Sequence, residues 1–346
     1  MKITTFGEIL LRLSKQDYRR LMQGSRLNGD FGGSEANVAV SLAMLGNDVS
    51  YVTRIPDSLI GKACRHSLQE RGISLKHVVT GGKRLGTYYF EPAAAMRNSC
   101  VVYDRENSAF NELRPGMINW KEVLRGSSVF HCSGITCATS QSAAETTFEA
   151  VEEAERMGIT VAFDINYRKN LWKYGAEASD VLSRLAKHAD IIFGDQEEYE
   201  VISGMPRVPF TALSADDSVD NDAFRDLLAS ISAKYPKCKK MIMAARNQIT
   251  SGHHTLTGFL FSQGKYTSTR IYDILDIVDP MGVGDAFIAA FLHAWLKWGD
   301  DDTRTLLFSL SASALKNSVP GDFNLIGEDE IRMLMDGTLQ PDKIFG

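Results

Sequence analysis

Short β-prone runs alternate with helical runs along most of this chain, and that alternation restricts its fold more than any other feature. Residues 2–7 read as a strand ending at a glycine. Residues 34–45 read as a helix, with Ser34 as N-cap and Gly46 as stop. A strand is expected at 49–53 and a helix at 59–71, closed by Gly72. The pattern resumes with strands at 128–132, 160–164, 191–194 and 240–245, and with helices at 142–157 and 178–187. β-prone runs follow at 256–261 and 266–272, then helices at 285–297 and 303–316. Such alternation implies an α/β fold: a mainly parallel central sheet flanked by helices on both faces.

Two stretches break the rhythm. Residues 12–32 are polar and lack helical periodicity. Residues 84–112 hold β-prone runs at 86–91 and 99–103, separated by 92–98, which reads as an inserted hairpin. No internal repeat, low-complexity tract or proline-rich linker divides the chain. The expectation is one domain over 1–346, carrying a small β-sheet lid inserted from about 12–32 and 84–112.

Charge and cysteine usage exclude several classes. A formal net charge of −5 gives no basic field for a nucleic-acid backbone. No apolar run reaches about twenty residues, so no membrane span is expected, and the start lacks a secretory h-region. Five scattered cysteines, at 64, 100, 132, 137 and 238, suggest reduced thiols and a cytoplasmic protein.

In parallel α/β sheets ligands bind beyond the carboxyl ends of the strands. Polar residues just after expected strands are therefore the first candidates: Asp164, Asn166, Arg168, Asp195, Arg246 and Asp279. The most informative segment is Asp279-Pro280-Met281-Gly282-Val283-Gly284-Asp285. A strand-like run at 274–278 feeds a glycine turn, and an apolar helix follows. Free amides at that helix start, aided by the helix dipole, favour an anion. Asp285 in the first turn is placed to accept a proton from an attacking hydroxyl. The plain alternative is a helix start with a favourable acidic residue. A dinucleotide fingerprint lacks its third glycine, since position 287 is Phe. No P-loop or protein-kinase signature is present. A second glycine turn, Gly32-Gly33-Ser34-Glu35-Ala36-Asn37, also precedes a helix and permits close backbone approach to a ligand.

Taken together, the two glycine segments resemble the paired signatures of the ribokinase-like (PfkB) carbohydrate kinases. The first resembles the family's Gly-Gly…Asn motif; the second resembles its Asp-Thr-x-Gly-Ala-Gly-Asp motif, with Pro280 for Thr and Val283 for Ala. The resemblance implies a ribokinase-like fold, an ATP and Mg²⁺ requirement, and Asp285 as base. It implies an anion hole from the amides of Gly282, Val283 and Gly284, with Gly32, Gly33 and Asn37 near the sugar. The family's Asn-x-x-Glu motif falls at Asp195-Gln196-Glu197-Glu198, with Asp in place of Asn, so Asp195 and Glu198 are the implied metal residues. Asp195, Arg246, Asp279, Gly282 and Gly284 are the implied nucleotide contacts.

Within that family the chain looks most like the 2-keto-3-deoxygluconate kinases. Tyr89, Tyr103 and Arg105, with Asn166 and Arg168 of the Asp164–Trp172 turn, resemble that subgroup's substrate contacts. Arginine's planar donor fork suits the carboxylate that a neutral hexose lacks. The resemblance implies phosphorylation of the C6 hydroxyl and a homodimer formed through the lid. The rival readings are the same reaction on fructose or ribose, an NAD-dependent dehydrogenase, and a non-catalytic sugar-binding protein.

Overall fold

The computed structural model describes residues 1–339; the last residues of the expected domain, 340–346, lie outside the described residues. Eight strands form the backbone of the central sheet. In spatial order they are Lys265–Ser268, His253–Ser262, Lys240–Thr250, Ile191–Gly194, Thr160–Asp164, Ser127–Ser133, Lys2–Phe6 and Asp48–Val52. Tyr272–Ile274 joins at the side of His253–Ser262. The pairs from Lys240–Thr250 to Asp48–Val52 are parallel, and those beyond Lys240–Thr250 are antiparallel. The carboxyl ends of five or more parallel strands therefore open on one edge, as the alternation implied.

The parallel strands are apolar on both faces because helices cover both. Ile191, Ile192 and Phe193 are all buried. Phe193 meets Phe291 edge-on at 5.3 Å between ring centres, tying the sheet to the helix Val283–Trp298. Phe291→Ala would cost about 3–5 kcal/mol through the cavity it leaves. Helix ends follow local chemistry. Ser58 and Ser140 cap Leu59–Gln69 and Gln141–Arg156 by accepting from the amides of Gly61 and Ala143.

A separate four-stranded sheet runs in the order Asn28–Gly32, Leu10–Ser14, Gly86–Glu91, Cys100–Asp104. The last two strands are the hairpin expected between 84 and 112. Leu10, Tyr88 and Phe90 form its buried face, and Met281 of the glycine turn packs against them. This small sheet thus covers the edge on which the central strands end.

Several expectations change. The strand expected at 274–278 stops at Ile274, because Asp276 turns with φ 53° and leaves Leu275 and Val278 exposed. The β-prone run 266–272 splits into two strands. Ser34 is the first residue of its helix, Ser34–Met44, and Gly33 holds the cap position; the Ser34 hydroxyl is directed elsewhere. Helices Gln196–Ser203, Asn221–Ser232 and Glu328–Met335 had not been anticipated. Among the described residues no helix is long and apolar enough to cross a membrane.

Candidate active site

Between the small sheet and the carboxyl ends of the central strands lies a cleft. Its walls include Gly33, Asn37, Tyr88, Tyr103, Arg105, Asn166, Arg168, Gly282 and Asp285. Gly282, with φ 76°, caps the start of the helix Val283–Trp298 and itself lines this space. The first-turn N–H groups of a helix have no intrahelical acceptor, so an anion there meets donors and a favourable dipole.

Asp285 stands in that first turn. Its Oδ1 accepts a hydrogen bond from Ser34 Oγ at 3.0 Å, and its Oδ2 accepts one from Asn37 Nδ2 at 2.7 Å. The second glycine segment therefore positions the carboxylate supplied by the first. Burial raises the Asp285 carboxyl to about 6; Asn37 and Ser34 pull it back down, Asp322 pushes it up and Arg168 lowers it. A carboxylate poised near neutrality, with lone pairs still free, can accept a proton at physiological pH.

Arg105 emerges at the end of the small sheet. Its Nε and one terminal nitrogen both donate to Glu8 Oε2, each at 2.7 Å. The other terminal nitrogen is buried and has no partner. Arg168, which also lines the cleft and is half-exposed, lies 3.5 Å from Glu198 Oε1. Asn166 adopts φ 40° and donates to Ser34 Oγ and to Asp164 Oδ2. Burial holds the Asp164 carboxyl well above the ordinary range, with Glu198 and Asp285 adding to it.

The cleft thus gathers a helix start, a carboxylate in its first turn and two arginines, which are group types a phosphoryl transfer can use. Comparison with known proteins decides the family. The description "pfkB family carbohydrate kinase" matches residues 1–324. The chain belongs to the pfkB family of carbohydrate kinases. It is 28% identical over 336 residues to the 2-dehydro-3-deoxygalactonokinase of Haloferax volcanii, spanning 97% of each chain. It is 27% identical over 315 residues to a 5-dehydro-2-deoxygluconokinase of Shouchella clausii, covering 90% of this chain and 88% of that one. The crystal structure of 2-dehydro-3-deoxygluconokinase from Thermotoga maritima superposes with a TM-score of 0.90 at 33% identity, over 97% of this chain and 98% of that chain. The fold is therefore ribokinase-like, and the chain is an enzyme.

Within this pfkB-family cleft, the sequence-derived residues fall into two groups. Gly33, Asn37, Tyr103, Arg105, Asn166, Arg168, Gly282 and Asp285 line it together, and Val283 and Gly284 complete the helix start. Others go elsewhere. Tyr89 is absent from the cleft wall, because successive strand residues face opposite sides and its neighbour Tyr88 faces the cleft. Gly32 passes against Asp322 rather than the cleft. Asp279 is buried in an ion pair with Arg12 at 2.6 Å and accepts from the amides of Met281 and Gly321. Arg246 is exposed on the strand Lys240–Thr250, away from the cleft wall. Asp195 and Glu198 form a reciprocal capping box at the start of Gln196–Ser203. Burial raises Glu198 to about 7.

Glu8, Glu35, Tyr88 and Asp322 line the cleft without having been singled out from sequence. Glu8 carried a usable signal, since it follows the first strand. Glu35 accepts from Ser133 and Thr136, and burial lifts it to about 7. Asp322 carried none, being a lone acid in a loop far along the chain.

Proposed function

We propose that this enzyme transfers the γ-phosphoryl group of ATP to the C6 hydroxyl of 2-keto-3-deoxy-D-gluconate, giving 2-keto-3-deoxy-6-phosphogluconate. One observation supports the reading: a single cleft is lined by Asp285 at a helix start and by two arginines, Arg105 and Arg168. The buried, unpartnered nitrogen of Arg105 is the strongest indication of an acidic ligand. Buried donors rarely go unpaired, and a carboxylate or keto oxygen would satisfy this one. The relatives named above as kinases of dehydro-deoxy sugar acids favour the same class.

In this scheme the sugar's acid end meets Arg105 and Arg168, and the terminal hydroxyl lies beside Asp285. Asp285 takes the hydroxyl proton as the oxygen attacks phosphorus. The bond from the γ-phosphorus to the bridging oxygen breaks, and its electron pair leaves with ADP. Amides of Gly282, Val283 and Gly284 stabilise the charge on the transferring group. Mg²⁺ held with the nucleotide phosphates would supply further neutralisation. Among the described residues no group of three His, Cys, Asp or Glu side chains is poised to hold a metal. Mg²⁺ usually keeps several waters and leans on substrate phosphates. Asp195 uses Oδ1 in its cap, so its other oxygen would be the one to hold a metal-bound water, while Glu198, whose oxygens accept the amides of Tyr167 and Asp195, would orient it.

The chain is read as one kinase domain over 1–346 with the small sheet as lid, working in the cytoplasm, where its five free cysteines stay reduced. The lid's outer strand, Cys100–Asp104, exposes Val102 and Tyr103 and offers an edge to a second copy. Light scattering should return twice the 38.3 kDa chain mass; a monomer at micromolar concentration would remove that part of the reading.

The substrate is tested by ADP release over a panel: 2-keto-3-deoxygluconate, its galactonate epimer, fructose and ribose. The sugar acids should dominate. Arg105→Ala should lower kcat/KM on the keto acid by about 10- to 100-fold, the loss of a charged hydrogen bond. Unchanged kcat/KM in that variant, or preference for a neutral sugar, would defeat the assignment.

A further inference from the structure

The lid and the anion-hole loop are joined by a buried ionic cluster that the reaction scheme leaves unused. Arg12, on the lid strand Leu10–Ser14, donates one terminal nitrogen to Asp322 Oδ1 at 2.7 Å and the other to Asp279 Oδ2 at 2.6 Å. Tyr88, on the lid strand Gly86–Glu91, donates its hydroxyl to the same Asp322 Oδ1 at 2.5 Å. Gly32, on a third lid strand, passes so near that a Cβ there would lie 2.2 Å from Asp322 Oδ2. Three of the four lid strands thus converge on one carboxylate, itself only 6% exposed.

Asp322 reaches the anion hole through its backbone. A Cβ on Gly282 would lie 2.0 Å from the Asp322 carbonyl oxygen, so the two loops touch at the residue that opens the helix Val283–Trp298. The fully buried Lys316 donates to the carbonyls of Val319 and Gly321 at 2.9 Å each and fixes the loop that carries Asp322. The amide of Gly321 donates to Asp279, closing the circuit.

We propose that Asp322 is a positioning residue that couples closure of the lid over the acceptor to assembly of the anion hole. The physical reason is the burial of the charges. Arg12 cannot leave with the lid without stranding two carboxylates in a dry site, and a buried charge deprived of its partner is strongly unfavourable. The pairs therefore hold the lid down, and lifting it requires water to enter the cluster and solvate the separated charges. The lid-down form presses the Asp322 carbonyl against Gly282 and sets the helix start for phosphate. Ligand in the lid thereby tightens binding at the helix start, and by linkage the reverse holds. Gly32 gains a role here: its missing side chain makes room for the Asp322 carboxylate.

The inference rests on the sugar-acid reading for its choice of ligand. The test is the Kd of the β,γ-imido analogue of ATP with Mg²⁺, by calorimetry, with and without saturating 2-keto-3-deoxygluconate. In the unaltered enzyme the sugar acid should tighten the analogue at least about fivefold, the lower end of ordinary coupling. Asp322→Asn keeps the side chain's shape and removes its charge; it should bring that factor within about twofold of unity, whatever each ligand's own Kd becomes, because the factor is a ratio of two Kd values in the same variant. Tyr88→Phe removes one hydrogen bond, should reduce the factor part-way, and decides the matter if Asp322→Asn does not fold. A folded Asp322→Asn enzyme with full coupling overturns the proposal, as does an unaltered enzyme with none. If the keto acid is not turned over, the substrate reading fails by itself, and the same measurement with whichever sugar is turned over tests the coupling.

Discussion

Replacing Asp285 by Asn should abolish turnover and yet make the protein more stable. Burial lifts this carboxyl from 3.8 to about 6, so ionising it in the folded chain carries a penalty that the unfolded chain does not feel. Two pKa units at 1.36 kcal/mol each give about 3 kcal/mol. That figure is an upper bound, because Asp285 opens partly on the cleft. The substituted amide keeps one acceptor for Asn37 Nδ2 but cannot accept from Ser34 with its nitrogen, which returns about 1 kcal/mol. A net gain of about 2 kcal/mol, against an unfolding entropy near 2.1 cal/mol/K per residue, raises Tm by about 3 °C. The sign with pH is definite. The folded pKa is the higher one, so the penalty is absent well below 3.8, grows as pH rises, and is complete above about 6. The Tm difference should therefore be largest at pH 7.5 and shrink toward pH 4. Loss of a general base should lower kcat by about 10² to 10⁴-fold. Scanning calorimetry at both pH values and coupled ADP release are the assays. Turnover above a few per cent of the original would refute the base role. A lower Tm at pH 7.5 would refute the account of the site's electrostatics.

Two further outcomes follow from the same geometry. The kcat/KM of the unaltered enzyme should fall about tenfold per pH unit below about 6, and Asn37→Ala, which removes a bond that favours the ionised form, should move that midpoint upward; a midpoint that moves down or stays would contradict it. Gly282→Ala should reduce kcat at least about 100-fold, since φ 76° strains any Cβ and this one would meet the Asp322 carbonyl at 2.0 Å; near-normal turnover would show that the helix start does not contact the transferring group.

The alternation of strands and helices was legible because each element needs only its own periodicity and its own stops. The glycine turns were legible for a similar reason: Gly282 and Gly33 occupy backbone conformations that glycine serves best, and that demand is local. Local chemistry also misled. Ser34 looks like a cap by type, but its hydroxyl is drawn to Asp285, 251 positions away. Tyr89 and Tyr88 are indistinguishable by composition, and only the strand's register chooses which one faces the cleft.

The sequence by itself determined the layered α/β architecture, the inserted small sheet and the pairing of a glycine-opened helix with an acid in its first turn. Tertiary structure alone decided where the charges go. Asp279 stands in the glycine motif yet is spent on Arg12, 267 positions away, and Asp322, which no pattern marks, gathers Arg12, Tyr88 and Gly32. Periodicity is set by bonds between near neighbours, whereas the pairing of a buried charge depends on which distant loops the packed sheet brings within about 3 Å of it.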